Sequence, residues 1–282
     1  MLNYRQSHVL VRYAEIGIKG NNRSEFETQL TRNIRSCLDA HKIPFDHVVR
    51  SSGRIIITTK SDCSVLKEVF GIASWSSAIN TGKTIKELFD VVKEHVQLEN
   101  KTFKVACTRV DKRFPIDSMT INCQLGELLC QATGASVKMK TPDIIVQCEV
   151  VEQTLFYCTS TEQGLGGLPV GSSSQVLVLA QTNDDLAAAR AMLKRGCTIL
   201  LATDNTTAIE QILHFSHGHE IKIIPSSQAK EASTKTLLAI VPDICTNIKE
   251  YDLSCPIVRP LIGGNVLEKI SCEKSLTITP NN

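Results

Sequence analysis

Apolar residues in the first 80 positions of the chain follow two alternating patterns. β-Branched and apolar runs at Val9–Tyr13, Arg54–Thr59 and Ile72–Asn80 predict strands. Apolar residues at steps of four predict a one-sided helix over Glu25–Leu38, and Cys63–Phe70 is a second predicted helix that a glycine ends. The β-α-β-α-β order favours a small open-sheet unit of the ferredoxin-like kind.

The next 80 residues also show the patterns of strands and one-sided helices, and they form a second predicted unit. Thr84 and Ser118 are predicted N-caps of two one-sided helices, with a strand at Thr102–Arg109 between them. Asp143–Val151 and Gln153–Thr159 are predicted to pair as neighbouring strands. This arrangement predicts an α+β domain.

The last third of the chain alternates strands and helices again. A glycine- and serine-rich stretch, Gly164–Ser174, precedes it and is predicted to be a linker or domain boundary. The pattern predicts a small parallel, Rossmann-like α/β domain. Its predicted strands are Val176–Ala180, Thr198–Ala202, Ile221–Ile224 and Leu237–Val241.

Composition narrows the class of protein. The 282 residues are 42% hydrophobic, which suits a globular chain of two or three domains, and no apolar run is long enough for a membrane span. The start of the chain lacks the pattern of a secretory signal. Its 11 cysteines include no Cys-x-x-Cys pair, so we expect a cytoplasmic protein with neither a disulfide framework nor a metal site.

Charge is distributed unevenly although the net charge is only +2. Residues 101–140 carry seven basic and three acidic side chains. A local basic patch of this kind binds phosphate backbones even on a nearly neutral protein. A solvated charged face accounts for the same residues equally well.

The strand at Val176–Ala180 leads through a short turn into a helix, the layout in which many α/β proteins hold a nucleotide phosphate. The turn has no glycine and carries Asp184 and Asp185, whose charge opposes a phosphate unless a magnesium ion offsets it. The favoured interpretation is structural. Asn183 would cap the helix, and the two aspartates would stabilise its dipole.

Two other motifs resemble ligand-binding sites in their sequence but lack residues that such sites need. Gly166–Ser173 spells G-x-x-x-x-G-S-S, but it lacks the P-loop lysine and is followed by a strand. His214, His217 and His219 lie close together, yet no neighbouring cysteine or carboxylate pair completes a metal site. We expect them to mark the polar end of a helix.

Several of these segments resemble the tRNA 4-thiouridine synthetases, also called tRNA sulfurtransferases. The similar segments are Arg12–Arg23 with Phe26 and Glu27, Thr102–Val105, Arg109–Pro115, Gly164–Gly171 and Arg259–Gly263. The resemblance implies a ferredoxin-like domain over residues 1–75 and an RNA-binding THUMP domain over 76–165. It also implies a PP-loop ATPase-like domain over 174–282.

The departures from this family lie in its ATPase domain. The family's phosphate loop is Ser-Gly-Gly-Ile-Asp-Ser, and in this chain only Asp184 matches it. The other five positions are Ala180, Gln181, Thr182, Asn183 and Asp185. We interpret residues 181–185, Asp184 included, as a vestigial nucleotide loop. The family's catalytic cysteine and basic helix have no counterpart, so the resemblance predicts a degenerate, truncated domain with no catalytic residue.

RNA-binding residues carry over from the family only where the motifs match. The resemblance implies that five cations contact tRNA phosphates: Lys19, Arg23, Arg109, Lys112 and Arg113. Such contacts position RNA without identifying bases, and they weaken with salt. A competing interpretation is that Lys19 and Arg23 join the first two domains through ion pairs.

The leading hypothesis is a tRNA-binding protein without its own adenylation activity or cofactor, which brings tRNA to a separate catalytic or sulfur-transfer subunit. One alternative is an active tRNA sulfurtransferase with a divergent site for ATP and magnesium. Another is a protein-interaction platform to which RNA binding is secondary. No membrane partner is expected, and a homodimer stays open.

Overall fold

The computed structural model describes residues 7–13, 15–18, 22–51, 53–182, 185–244 and 247–262, which form two β-sheets with helices packed against them. Among these residues, no helix has both the length and the apolar character that a membrane crossing requires.

The first sheet belongs to the N-terminal half of the chain. Its nine strands are β1 (Ser7–Arg12), β2 (His47–Ser51), β3 (Arg54–Thr58), β4 (Ser74–Gly82), β5 (Thr102–Arg109), β6 (Ser136–Val137), β7 (Ile144–Val151), β8 (Thr154–Cys158) and β9 (Glu162–Gln163). The helices of this half are α1 (Arg23–Ala40), α2 (Ile85–His95) and α3 (Ser118–Thr133). Eight strands run in the order β2-β3-β1-β4-β8-β7-β5-β6, and β9 pairs with β4.

Strand β4 joins the first two units into one sheet. It pairs antiparallel with β1 on one side, where Ser77 lies opposite Val9, and with β8 on the other, where Ala78 lies opposite Cys158. A buried cluster that includes Leu10 and Phe156 spans this junction. The two units therefore share backbone hydrogen bonds and core.

The first unit differs from its predicted element order in two places. The predicted helix over Cys63–Phe70 is wrong, because only Ser64–Glu68 turns, as a 3-10 helix, and Val69 is already extended. A short segment with β-branched valines gives little helical stabilisation. The edge strand β2 was missed because Val48 is the only buried valine in a run that is otherwise mostly exposed.

Both helices of the second unit have a side chain that caps the helix N-terminus. Thr84 forms the predicted N-cap of α2 in a reciprocal capping box with Glu87. The predicted cap of α3 is wrong by one residue, because Asp117 accepts the backbone N–H of Thr120 while Ser118 is already helical. Aspartate is among the stronger N-cap residues, so it displaces the neighbouring serine from this role.

The second sheet is all parallel, as predicted for a Rossmann-like domain. Its strands are β10 (Gln175–Leu179), β11 (Thr198–Ala202), β12 (Lys222–Ile224), β13 (Ala239–Ile240) and β14 (Ile257–Val258). Its helices are α4 (Leu186–Lys194), α5 (Thr206–Leu213) and α6 (Ala229–Ser233). The spatial order β12-β11-β10-β13-β14 reverses direction between β10 and β13, which is where doubly wound folds form a ligand crevice.

The connection between the two sheets is closely packed. The Gly166 carbonyl accepts the N–H of Gly71 at 2.8 Å, and the Gly166 N–H donates to the carbonyl of Ile72 at 2.7 Å. Gly167 has φ +76°, and a Cβ there would lie 2.3 Å from the carbonyl oxygen of Lys194. The predicted linker is therefore a fixed connector between the two sheets.

Candidate nucleic-acid interface

An open groove of about 1020 Å³ lies between helix α1 and strand β2. Four arginines line it, namely Arg23, Arg32, Arg35 and Arg50. Arg32, Arg35 and Arg50 were not predicted, because the N-terminal motif that carries the resemblance ends at Glu27. Their helical spacing and the position of β2 opposite them gather the charge only in the folded chain.

The three unpredicted arginines bond to uncharged oxygens. Arg50 donates to the hydroxyls of Ser24 and Thr28 at 3.1 and 2.8 Å, and Arg35 donates to the carbonyl of Val48 at 2.6 Å. Arg32 donates to the amide oxygen of Gln29 at 3.0 Å. None of the three forms an ion pair with any part of the chain that the structure describes. Within the described residues these three arginines therefore have no directly paired carboxylate, although Glu27 and Glu152 also line the groove.

Arg23 is held at the end of the groove by its own helix. Its Nε donates to Glu27 at 2.8 Å, and its terminal nitrogen donates to the Tyr13 hydroxyl at 2.9 Å. Burial and the hydrogen bond to Glu27 raise the pKa of Tyr13 to about 12. Since the ion pair lies within α1, the interpretation that Arg23 joins two domains through an ion pair is wrong.

The second predicted group of cations lies at the end of β5, which is Arg109, and on the loop that follows it. Arg113 pairs with Asp111 at 2.8 Å, and its hydrogen bonds hold the pKa of Asp111 down at about 2. Arg109 donates to the carbonyls of Phe114 and Ile116, both at 3.4 Å. Lys112 is exposed, and no ion pair to it is found within the described ranges. Arg109 and Arg113 therefore shape the loop, and Lys112 projects from it.

The fold brings this loop next to the groove. A Cβ at Gly53 would lie 3.1 Å from Val110 and 3.8 Å from Arg23, so these two residues flank one point of the surface. Glu152 lines the groove and also interacts electrostatically with Arg113. The structure thus joins the predicted cations of both domains, except for Lys19, which lies outside the described residues.

An ion-pair triad fixes the relative position of these two domains. Glu149 on β7 is buried, and its carboxylate accepts from Nε of Arg12 at 2.7 Å and from Nε of Arg54 at 2.8 Å. Both arginines belong to the first domain and Glu149 belongs to the second. Glu149 lies in a mostly apolar strand, and an acidic residue in such a strand indicates a buried carboxylate that needs a cationic partner.

The turn after β10 is occupied by a carboxylate of the chain itself. One oxygen of Asp185 accepts the backbone N–H groups of Gln181 and Thr182 at 2.8 and 2.9 Å. These are the donors that a phosphate would need at this position. Asn183 and Asp184, the predicted cap and the one family match, lie outside the described residues.

Polar side chains close the same edge of the parallel sheet. Gln181 donates to the Ser226 hydroxyl at 2.7 Å, and Asn205 donates to the carbonyl of Gln181 at 3.2 Å. On the other side of the crevice, Asp243 accepts from the Tyr251 hydroxyl at 2.7 Å and from Arg259 at 2.8 Å. The donors and acceptors of the crevice are thus largely paired with one another.

Comparison with protein families identifies the two N-terminal units. Residues 8–76 match the ThiI ferredoxin-like domain, and residues 83–158 match the THUMP domain. The chain is therefore a THUMP-domain protein of the ThiI type.

Curated relatives identify the family of this chain more specifically. A probable tRNA sulfurtransferase of Brevibacillus brevis is 36% identical over 202 residues, covering 68% of this chain and 50% of the relative. The corresponding protein of Thermococcus kodakarensis is 33% identical over 204 residues, covering 68% and 54%. The chain spans about half the length of the curated relatives it matches. By its first two domains it belongs to the family of these tRNA sulfurtransferase homologues.

Solved structures support the whole fold. A protein from Pyrococcus horikoshii Ot3 superimposes with a TM-score of 0.82, covering 93% of this chain and 97% of that one at 24% identity. A 4-thiouridine synthetase in a complex with RNA and bound ATP gives a TM-score of 0.72, covering 94% and 83%, also at 24% identity. The resemblance inferred from the sequence motifs is therefore confirmed for family and fold.

Proposed function

We propose that this chain binds tRNA through its N-terminal half and does not adenylate it. The observation that carries the second part is the Asp185 carboxylate on the backbone N–H groups of Gln181 and Thr182. A nucleotide phosphate at this turn would meet a fixed negative charge. Two unit charges about 4 Å apart repel by about 4 kcal/mol at an effective dielectric of 20.

The binding part rests on the joined cationic surface of the two N-terminal domains. Arg32, Arg35 and Arg50 bond to neutral oxygens that water replaces readily when the arginines turn to phosphates. Lys112 extends this surface on the THUMP side. Relatives named as probable tRNA sulfurtransferases, and a 4-thiouridine synthetase seen with RNA, support tRNA as the ligand class.

The binding part is tested with fluorescently labelled tRNA and the full chain across a salt series. We expect affinity to fall steeply with salt, since each phosphate contact adds about 0.7–0.9 to the slope of log K against log salt. The Arg32→Ala, Arg35→Ala, Arg50→Ala triple variant should lower that slope by about 2–3. The matched control replaces Lys222, Lys230 and Lys235, three exposed cations of the C-terminal domain, by alanine. Equal slopes for the two triple variants would refute the groove as the binding surface.

An active sulfurtransferase is the second candidate, favoured by one observation. The parallel sheet keeps the reversal of strand order between β10 and β13 that forms nucleotide crevices in doubly wound folds. Calorimetric titration with ATP and magnesium separates the candidates, because the proposal predicts no saturable heat at millimolar nucleotide. A separate catalytic subunit and a cytoplasmic location stay predictions.

A further inference from the structure

Four potential metal ligands converge where the N-terminal domain meets the C-terminal domain. Cys37 lies in α1, and His41, the C-cap residue that follows this helix, lies one turn further along the chain. Glu68 ends the 3-10 turn, and His217 lies in the loop after α5. One ligand atom from each of the four lies within 4.8 Å of all the others.

The pairwise distances are close to those of a coordination sphere. Nε2 of His41 and Nε2 of His217 lie 3.0 and 3.1 Å from the same oxygen of Glu68. Metal–ligand distances of about 2.0–2.3 Å place the donors of a tetrahedral zinc site about 3.3–3.8 Å apart. Small side-chain rotations therefore suffice to admit an ion between them.

The surroundings of the cluster suit a structural metal. Cys37 is fully buried and His217 nearly so, while the His41 side chain is 35% exposed and leaves an entry path. The His217 ring also interacts with the backbone of His214, and support from a backbone group is common for histidine ligands.

The charges of the four side chains also suit a divalent cation. A divalent ion would balance one thiolate and one carboxylate.

We propose that Cys37, His41, Glu68 and His217 bind a tetrahedral zinc ion that clamps the C-terminal domain to helix α1. Four protein ligands leave no open position, so the site is structural. The thiolate and imidazole donors select zinc over magnesium or calcium. Positions next to His217 in the sequence do not complete a metal site, whereas the fold supplies ligands from residues about 150 to 180 positions earlier.

The same geometry also fits a histidine–glutamate–histidine hydrogen-bond cluster in which Cys37 is a bystander. The test therefore has to show whether the sulfur of Cys37 binds the metal. Full-length protein, freed of metal with a chelator, is titrated with zinc against a chromophoric competitor and separately with cobalt. We expect one ion per chain, intense tetrahedral cobalt bands and a sulfur-to-cobalt charge-transfer band.

The variants decide between the two interpretations. Cys37→Ser should abolish the charge-transfer band and weaken zinc binding by about 100-fold or more. Cys63→Ser is the matched control, a buried cysteine of the same core whose Sγ bonds to the Ser61 carbonyl. Retention of the band in Cys37→Ser, or no saturable zinc binding by the unmodified protein, would overturn the proposal.

A further variant keeps the test decisive if Cys37→Ser folds poorly. His41 lies at the exposed edge of the site, so His41→Ala should fold and still lose about 100-fold or more in zinc affinity. His47→Ala, which removes an exposed histidine of β2, is its control. Zinc should raise the unfolding temperature of the unmodified protein and of His47→Ala but not of His41→Ala. An equal rise in all three would contradict the clamp.

Discussion

Two regions of this molecule present hydrogen-bond donors at the surface, but the two sets of donors bond to different kinds of acceptor. In the N-terminal groove, Arg32, Arg35 and Arg50 bond to hydroxyl, amide and carbonyl oxygens. In the turn after β10, backbone N–H groups bond to the Asp185 carboxylate. A phosphate can replace neutral acceptors. A carboxylate of the chain itself, in contrast, both occupies the donors and repels the phosphate. A cationic groove and a turn whose backbone donors are already bonded are therefore both present in this chain.

The largest expected effect concerns the ion-pair triad that holds the two N-terminal domains in register. Glu149→Gln removes the charge between Arg12 and Arg54 and should lower the free energy of unfolding by about 3–5 kcal/mol. Urea unfolding measures it. Glu231→Gln removes a carboxylate from an exposed pair and should cost at most about 0.5 kcal/mol. Similar losses for both would mean that Glu149 does not organise the cationic surface.

The next effect concerns the contact between the two halves. Gly218 has φ +72°, and a Cβ there would lie 2.4 Å from Oδ1 of Asn33, which is buried on α1. Gly134→Ala carries a comparable backbone strain at φ +71° with nothing within 4 Å. We expect Gly218→Ala to lower the unfolding free energy by about 1–3 kcal/mol more than Gly134→Ala. Equal thermal unfolding of the two variants would show that the halves are not closely packed.

A smaller effect is expected at the turn itself. Asp185→Ala leaves the N–H groups of Gln181 and Thr182 without their acceptor and should cost about 1 kcal/mol, as loss of a helix cap does. Asp185→Asn keeps an oxygen acceptor and should cost less. Chemical denaturation compares the two, and a costlier asparagine variant would contradict the hydrogen-bonding role of Asp185.

The smallest effect is a dependence of stability on pH. Burial alone would raise the pKa of Asp243, but hydrogen bonds from Tyr251, Arg259 and the Lys249 backbone outweigh it, so the pKa is lowered. The stability from Asp243 is present above the unfolded pKa of about 3.9 and is lost as pH falls below it.

Asp243→Asn should accordingly flatten the decline of unfolding free energy as the pH falls below about 4. Asp252→Asn, at an exposed position, should leave the decline unchanged. Parallel urea titrations at several pH values make the comparison, and identical curves for Asp243→Asn and the unmodified chain would contradict it.

The sequence predicted most of what depends on local pattern. Periodicity identified α1 and four of the five parallel strands, but not the two-residue β14, and motifs identified the family, because both signals lie in contiguous residues. The edge strand β2 and the arginines beside it were missed, since their meaning comes from the helix packed across from them. The pairing of Glu149 and the approach of Cys37 to His217 likewise depend on contacts between domains, which one sequence does not encode locally.

The measurement that tests the central claim most directly is tRNA affinity, measured on one preparation across a salt series with and without ATP and magnesium. The account predicts strong, salt-sensitive tRNA binding that the nucleotide leaves unchanged, together with no saturable ATP binding in calorimetry. Saturable ATP binding, or tRNA binding that ATP strengthens, would contradict the claim that Asp185 closes the turn after β10.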